Sequence, residues 1–373
     1  MSEKRPNDRR NRLLLFPRPD IKFQLWARGI ESVSERHKAL PTWRPWFAFV
    51  HFIRYRRRGY RIDAFVVRYL NDPGSLAGAS IRLIGDALSV FAARLLRIPV
   101  FWVIHNLDRE TRDRRPWIIR IRRHLVRRSA CAFFVTEESL VDHARRIHRI
   151  EGPIRVTPLG RPGPALLRPE QDSESWSRFQ SRADAWLEGG PGDGPCLLVV
   201  GTPENKYSHF WRLGELLDYA RKKGIPLRAV VIAPLNEAYG RELREALSDH
   251  ERSGAVLFSE KFVETDWPWA AEHCIALLRG YTDLSMSHAI YHAVSVGMPV
   301  LAMRGGIVPE VVLQEGIGVV LDEDFGNLNT ALEQLRPLGP ERSSAFLEKR
   351  TARRAARALL DAVETHSSEN VER

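Results

Sequence analysis

The stretch "CIALLRGYTDLSMSHAIYHAVSVGMPVLAMRGGIVPEVVLQEGIGVVLDE", residues 274–323, decides the reading of the fold. It holds three short apolar runs: CIALLRG (274–280), MPVLAM (298–303) and GVVLDE (318–323). Their length and near-continuous apolar character predict strands buried on both faces. Between them the pattern turns helical. One helix opens from about Ala289, after a turn bearing Ser285 and Ser287, and stops at Gly297. A glycine just past a helix end is a common stop, because it accepts the left-handed conformation there. A second helix opens at Pro309-Glu310, after the pair Gly305-Gly306. Strand and helix alternating in this order predict a parallel sheet covered by helices.

The same alternation runs outward in both directions. Upstream lie CLLVVG (196–201), LRAVVIAP (227–234) and AVLFS (255–259). Farther back are RLLLF (12–16), IDAFVVRYL (62–70), IPVFWVIHN (98–106), ACAFFVT (130–136) and PIRVTPLG (153–160). The helical pattern SIRLIGDALSVFAARLLR (80–97) keeps Ile84, Leu88, Phe91 and Leu95 on one face. Between the two series, residues 161–195 are rich in Pro, Gly, Ser and charge, with a helical stretch around 174–188. The expected organisation is an N-terminal Rossmann-like domain over 1–165, a linker over 166–195 and a second Rossmann-like domain over 196–340. A final segment, 341–373, carries one basic helix (341–364) crossing back over both. In such sheets ligands bind at the carboxyl ends of strands, where strand order reverses. The loops after strands are therefore where function is sought.

Composition narrows the class. With 44% hydrophobic and 28% charged residues the 373-residue chain reads as globular, and it is long enough for two domains. Its three cysteines, Cys131, Cys196 and Cys274, have no paired spacing, so neither a disulfide framework nor a zinc site is expected, and a reducing compartment is. The N-terminus MSEKRPNDRRNR lacks the apolar core of a signal peptide. No run is read as the roughly 20 apolar residues that span a bilayer.

Charge is unevenly spread. Residues 1–170 carry 35 Lys and Arg against 16 Asp and Glu, whereas the remainder carries 22 against 30. A half so basic predicts an anionic partner. Two stretches join Arg clusters to aromatic and aliphatic residues. They are WRPWFAFVHFIRYRRRGY (43–60) and RRPWIIRIRRHLVRR (114–128), the latter with Trp117, Ile118, Ile121 and Leu125 on one side. Both read as helices lying on an anionic membrane surface, apolar face inward and Arg at the headgroups. The expected location is cytoplasmic, peripheral on the inner face of the cell membrane. No RNA- or DNA-binding signature is present, so nucleic acid is not an expected partner; a basic nucleic-acid binder is kept as an alternative reading.

The motifs carry a resemblance. HAVSVGMPVLA (292–302) and PEVVLQEGIGVVLD (309–322) resemble the nucleotide-sugar half of GT-B glycosyltransferases, near the family 4 retaining enzymes. Tyr281, Asp283, Ser287, Ala293, Ser295, Gly297, Pro299 and Val300 fall on the frame of a bacterial branch of that group. Leu284 and His292 stand where family 4 enzymes have a pair of Glu eight positions apart, and Met286-Ser287-His288 where the branch has Asn-Ser-Gly. The loop in LLVVGTPENKYSHF (197–210) resembles the one whose Lys neutralises the departing diphosphate, which singles out Gly201 and Lys206. The turn in FWVIHNLDRETRDRR (101–115) is similar to the His-Asn acceptor-side turn of the same branch.

The resemblance implies a GT-B fold, two Rossmann-like parallel-sheet domains facing across a cleft. It implies a metal-independent hexosyltransferase that moves a sugar from a UDP- or GDP-linked donor, with no cofactor beyond this co-substrate. The acceptor would be a saccharide or lipid-linked molecule at the membrane surface, in polysaccharide or glycolipid assembly. Donor contacts would be Gly201, Lys206, Tyr281, Ser285, Ser287, Gly305, Gly306 and Glu310. Acceptor contacts would be Asp20, Lys22 and Asn106, and Arg161 a diphosphate contact. His105, Asp108 and Glu110 would offer the base that an inverting transfer needs; a retaining one needs none. Nucleotide-sugar 2-epimerases share the architecture and are the alternative within it.

Overall fold

Parallel strands need a crossover between each pair, and helices supply it here throughout. The computed structural model describes residues 12–17, 19–42, 47–68, 70, 75–108, 115–169, 174–189, 194–204, 207–259 and 263–369. The chain divides into two compact units. One is Met1–Gly160 with Lys349–Arg373, the other Arg161–Glu348.

The first unit holds β1 (Arg12–Pro17), α1 (Ile21–Val33), β2 (His37–Thr42), α2 (Ala48–Arg57), β3 (Arg61–Val67), α3 (Leu76–Leu95) and β4 (Val100–Ile104). It continues with α4 (Pro116–Ser129), β5 (Ala130–Val135), α5 (Val141–His148) and β6 (Ile154–Val156). The sheet order is β2-β1-β3-β4-β5-β6, all neighbours parallel. The second unit holds α6 (Glu174–Gly189), β7 (Cys196–Val200), α7 (Ser208–Trp211), α8 (Leu213–Lys222), β8 (Arg228–Ile232), α9 (Ala238–Ala246), α10 (Ser248–Arg252) and β9 (Val256–Phe258). Then come α11 (Trp267–His273), β10 (Ala276–Arg279), α12 (His288–Ser295), β11 (Val300–Ala302), α13 (Val308–Glu315), β12 (Gly318–Val320), α14 (Leu328–Gln334) and α15 (Pro340–Glu348). Its sheet order is β12-β11-β10-β7-β8-β9, again parallel. The last helix, α16 (Ala352–Glu369), belongs to the first unit.

Side-chain alternation splits the first sheet into two faces. Leu14, Phe16, Ala64, Val66, Phe101 and Val103 form one core with Trp26 and Ile30 of α1 and with Ala355, Ala356 and Leu359 of α16. Alternate residues turn to the other face, where Phe52 of α2 meets Phe65 at 5.1 Å and His148 of α5 meets Trp102 at 4.9 Å between ring centroids. Helices α2, α3 and α4 share this second face, α3 packing against both neighbours. Arg122 of α4 ties α3 to the segment after β3. Its Nε donates to Asp86 of α3 at 2.6 Å and its Nη1 to the Leu70 carbonyl at 2.6 Å.

Several expectations are corrected. Strand β2 was not foreseen in HKALPT, because its burial alternates and Pro41 breaks the apolar run. It is an edge strand, where a missing N–H is tolerated. Ile84, Leu88, Phe91 and Leu95 do share one helical face, and that face turns to solvent, with Leu95 72% exposed. Helix α3 itself is long and apolar enough to cross a membrane by length and composition, which the reading of the sequence overlooked. On α4 the foreseen face is divided: Ile118 is buried while Trp117 and Ile121 are exposed. The single final helix is two, α15 and α16. Between them Arg350 is drawn in to a bidentate pair with the buried Glu137 (2.7 Å), and the Thr351 hydroxyl accepts from the Arg354 N–H. Residues around 174–188 do form a helix, and α6 packs within the second unit. Its Trp176 meets Trp269 edge-on, and Trp269 Nε1 donates to Asp184 at 2.8 Å. Cys196 and Cys274, distant in sequence, are buried free thiols with sulfurs 3.8 Å apart.

Candidate functional site

In the second unit the chain leaves β7 for β8 on one side and later returns to β10 on the other. Strand order therefore reverses between β7 and β10, and the loops that follow them part there. That is where a ligand of such a sheet binds. Gly201 ends β7 at φ +132°, and Arg279-Gly280-Tyr281 ends β10.

A buried cation stands at this point. Arg279 is 4% exposed, and its Nη1 donates to the Val200 carbonyl and to His209 Nε2 at 2.7 Å. A guanidinium only donates, so Nε2 of His209 accepts and the proton sits on Nδ1, which donates to the Gly280 carbonyl at 2.8 Å. His209 is fully buried. Burial first, and then the Arg279 charge, holds its pKa well below the usual range, so it is neutral. A Cβ at Gly201 would stand 3.7 Å from Arg279 Nη1, which shows how near the loop backbone lies to the cation. Tyr207 and Tyr281 close around the pair, edge to face at 4.9 Å, and His209 lies 5.7 Å from the Tyr207 ring.

The neighbouring loops are built onto Tyr281 and Asp283. The Ser285 hydroxyl donates to the buried Asp283 at 2.7 Å, and both side chains are thereby committed to the turn. Ser287 is buried and precedes α12 without capping it through its side chain. Gly305 (φ +112°) and Gly306 (φ +61°) are expected donor contacts. The structure gives another reason for them: a Cβ would come within 2.8 Å of the Tyr281 carbonyl at the first and 2.3 Å of the Asp283 carbonyl at the second. Glycine is needed for backbone to meet backbone. Glu310, half-buried in the first turn of α13, accepts from Gln314 at 3.1 Å. His292, at the family's Glu position, lies under Trp267 (5.1 Å, 25°). Burial, with a smaller effect from His288, lowers its pKa to about 3. Lys206 lies outside the described residues.

In the first unit the order reverses between β1 and β3. Asp20 stands after β1, but it is engaged twice. It caps α1 by accepting from the Phe23 N–H (2.8 Å) and accepts from Arg68 Nη1 (2.9 Å). Arg68, fully buried in its side chain, also donates to the Pro17 carbonyl and lies over the Trp26 ring. Asp20 is thus held by the scaffold as well as standing at the strand end. Lys22 is half-buried in the first turn of α1. His105 ends β4, 6% exposed and stacked on Trp26 at 5.8 Å and 16°. The carbonyls of Asn106, Leu107 and Asp108 all accept from Arg123 of α4, at 3.0–3.1 Å. Of the three proposed bases His105 is packed in, Asp108 is exposed, and Glu110 lies outside the described residues. Arg161 is exposed and opens the second unit, whereas His105, Asn106 and Asp108 belong to the first.

No protein-family model matches the sequence, and no curated protein matches it significantly. Solved structures do. HepE of Anabaena, in complex with UDP, superposes with TM-score 0.62 at 14% identity, over 95% of this chain and 100% of its own. Sucrose-phosphate synthase from Thermosynechococcus elongatus gives 0.63 at 13% identity, over 96% and 100%. The fold is GT-B. A UDP-N-acetylglucosamine 2-epimerase from Rickettsia bellii also aligns, with TM-score 0.51 at 14% identity over 95% and 98%. At these identities the GT-B likeness is one of fold, and the fold serves more than one reaction, so function has to be argued from the site.

Within the GT-B frame, sequence reasoning placed Gly201, Tyr281, Ser285 and Ser287 around one sheet edge. It missed His209, Arg279 and Arg123. The available signal was an Arg ending an otherwise apolar strand, and a His three residues after the loop Lys.

Proposed function

We propose that the chain is a glycosyltransferase whose second unit takes a nucleotide-diphosphate sugar, UDP- or GDP-linked, at the reversal between β7 and β10. The observation that carries this reading is the buried Arg279, held by a neutral His209 beside the Gly201 backbone. A diphosphate leaving group gains negative charge as its bond to the sugar breaks, and a preset cation stabilises that charge most where water is excluded. Arg279 lends charge from beneath the loop and Lys206 from within it. Transfer by this route draws its positive charge from the protein and is metal-independent. Tyr207, half-buried against Tyr281, offers aromatic surface to the nucleoside. The first unit takes a saccharide or lipid-linked acceptor. Asp108, exposed on the turn strapped by Arg123, is the base if the transfer inverts, with His105 and Glu110 as the other candidates. The superposition on HepE, which was solved with UDP, is in keeping with the donor class. The location that fits is the cytoplasmic face of the cell membrane, in polysaccharide or glycolipid assembly.

The 2-epimerase superposition makes sugar epimerisation the second reading. Product analysis separates the two. The protein is incubated with the nucleotide-sugar that binds and with membrane extract as acceptor source. A transferase releases nucleoside diphosphate and moves the sugar to the extract. An epimerase returns an altered nucleotide-sugar without needing any extract. Lys206→Ala is expected to weaken diphosphate binding roughly tenfold or more, about 1.4 kcal/mol. Unchanged affinity in that variant removes Lys206 from the site.

A further inference from the structure

Helix α3 turns its longest apolar stripe away from the protein. Ile81, Ile84, Leu88, Phe91 and Leu95 recur at three- and four-residue steps and are 51%, 59%, 45%, 65% and 72% exposed. Only 28% of the helix's most apolar stretch is buried. The neighbours extend the patch: Val50 and Ile53 of α2 and Trp117 and Ile121 of α4 are also exposed. Scattered apolar side chains on a surface need no explanation, but aligned stripes on three adjoining helices mark a contact surface.

The charge around the patch names the partner. Helices α2 and α4 contain no acidic residue, and the single acid of α3, Asp86, turns inward to Arg122. Exposed Arg54, Arg57 and Arg58 flank the patch on α2, with Arg94 and Arg97 at the end of α3 and Arg120 on α4. Beyond α4 a groove of about 390 Å³ is lined by Arg120, Arg123, Arg127 and Arg149 with His124 and His148, and no carboxylate lines it among the described residues. Apolar side chains rimmed by cations match the depth profile of an anionic bilayer, with hydrocarbon below and phosphate above. Trp117 is of the type that favours the boundary between them.

Helix α3 does not stand upright in that bilayer. It connects β3 to β4, which pair directly, Phe65 with Val100 and Val67 with Trp102, and it packs between α2 and α4. An upright α3 would drag the sheet and its buried ions into hydrocarbon, at a cost no apolar stripe offsets.

We infer that the α2–α3–α4 face of the first unit docks flat on an anionic phospholipid bilayer, with the α3 stripe entering the acyl boundary and the α4 groove taking lipid phosphate. This deepens the proposed function by naming the surface on which the acceptor half works. The test is sedimentation of the full chain with phosphatidylcholine vesicles, with and without phosphatidylglycerol. Binding is expected to the anionic vesicles, to fall as salt rises, and to be weak on the neutral ones. The double variant Ile84→Ser with Phe91→Ser is expected to bind roughly tenfold more weakly or worse, with an unchanged melting temperature. Leu95→Ser, at the most exposed position of the stripe, is the second variant and should weaken binding in the same direction. The inference is overturned if the wild type ignores anionic vesicles, if the variants sediment like the wild type, or if the stripe proves to join two copies that the double variant separates. Nucleotide-sugar binding by the double variant is expected to be unaltered, so failure at the membrane and failure of the donor site are told apart.

Discussion

Arg279 and His209 depend on each other. The histidine can accept from the guanidinium only while it is neutral, and Nη1 of the buried guanidinium finds its partners in the Val200 carbonyl and His209. If the cation serves the diphosphate, Arg279→Lys should keep more donor affinity than Arg279→Met. The Met variant should lose roughly tenfold or more for the nucleotide-sugar while its affinity for the bare nucleoside changes little, as read by calorimetric titration. Acid sensitivity follows from the histidines. His209, His148 (about 4) and His292 (about 3) all have folded pKa values below the unfolded 6.5, chiefly because burial disfavours the imidazolium. Their contribution is complete above pH 6.5. It is lost as pH falls from there towards the folded values, because the unfolded chain gains protons that the native one refuses. Each adds a slope approaching roughly 1.4 kcal/mol per pH unit. Urea midpoints between pH 7 and pH 5, above the usual carboxylate range, are expected to drop, and His148→Gln should flatten the trend. At this scale the sequence was partly legible. Gly201 and Tyr281 could be placed because they end strands. The Arg279–His209 contact joins residues 70 apart, and no spacing announces it.

Elements were more legible than their orientation. The strand runs LLLF (13–16), VFWVI (100–104) and CLLVV (196–200) are apolar at every position because both sheet faces are covered, and that is visible in one dimension. The edge strand β2 alternates and contains Pro41, so it resembles a loop. Helix α3 shows the limit most clearly. Its periodicity reveals a face but not what the face meets. The residues that anchor it are mostly small or polar, Ala79, Gly85, Ser89 and Ala93 beside the apolar Val90, and Asp86 binds Arg122. Breaking that clamp tests it. Asp86→Ala strands Arg122, 3% exposed in its side chain, without its carboxylate. The variant should lose about 3–5 kcal/mol in chemical denaturation, whereas Asp86→Asn, able to accept from Arg122, should lose less.

Across the whole molecule, charge and chemistry divide between the two units. The basic surplus of residues 1–170 is what the proposed docking of the α2–α3–α4 face would draw on, and the second unit carries the cation beside its strand reversal. The tandem sheets were legible because strand and helix alternate twice with a composition break between. The unit boundaries were less so. The first unit reclaims Lys349–Arg373, and the join is set by Arg350 and Glu137, 213 residues apart. Most direct for the donor site is equilibrium binding of UDP- and GDP-sugars to the full chain by thermal shift. One nucleotide class should stabilise the protein by about 2.7 kcal/mol at a hundredfold excess over its dissociation constant, a rise of several degrees, and Arg279→Met should lose most of that rise. No shift with any nucleotide-sugar, or an equal shift in the Arg279→Met variant, would contradict a diphosphate seated between β7 and β10.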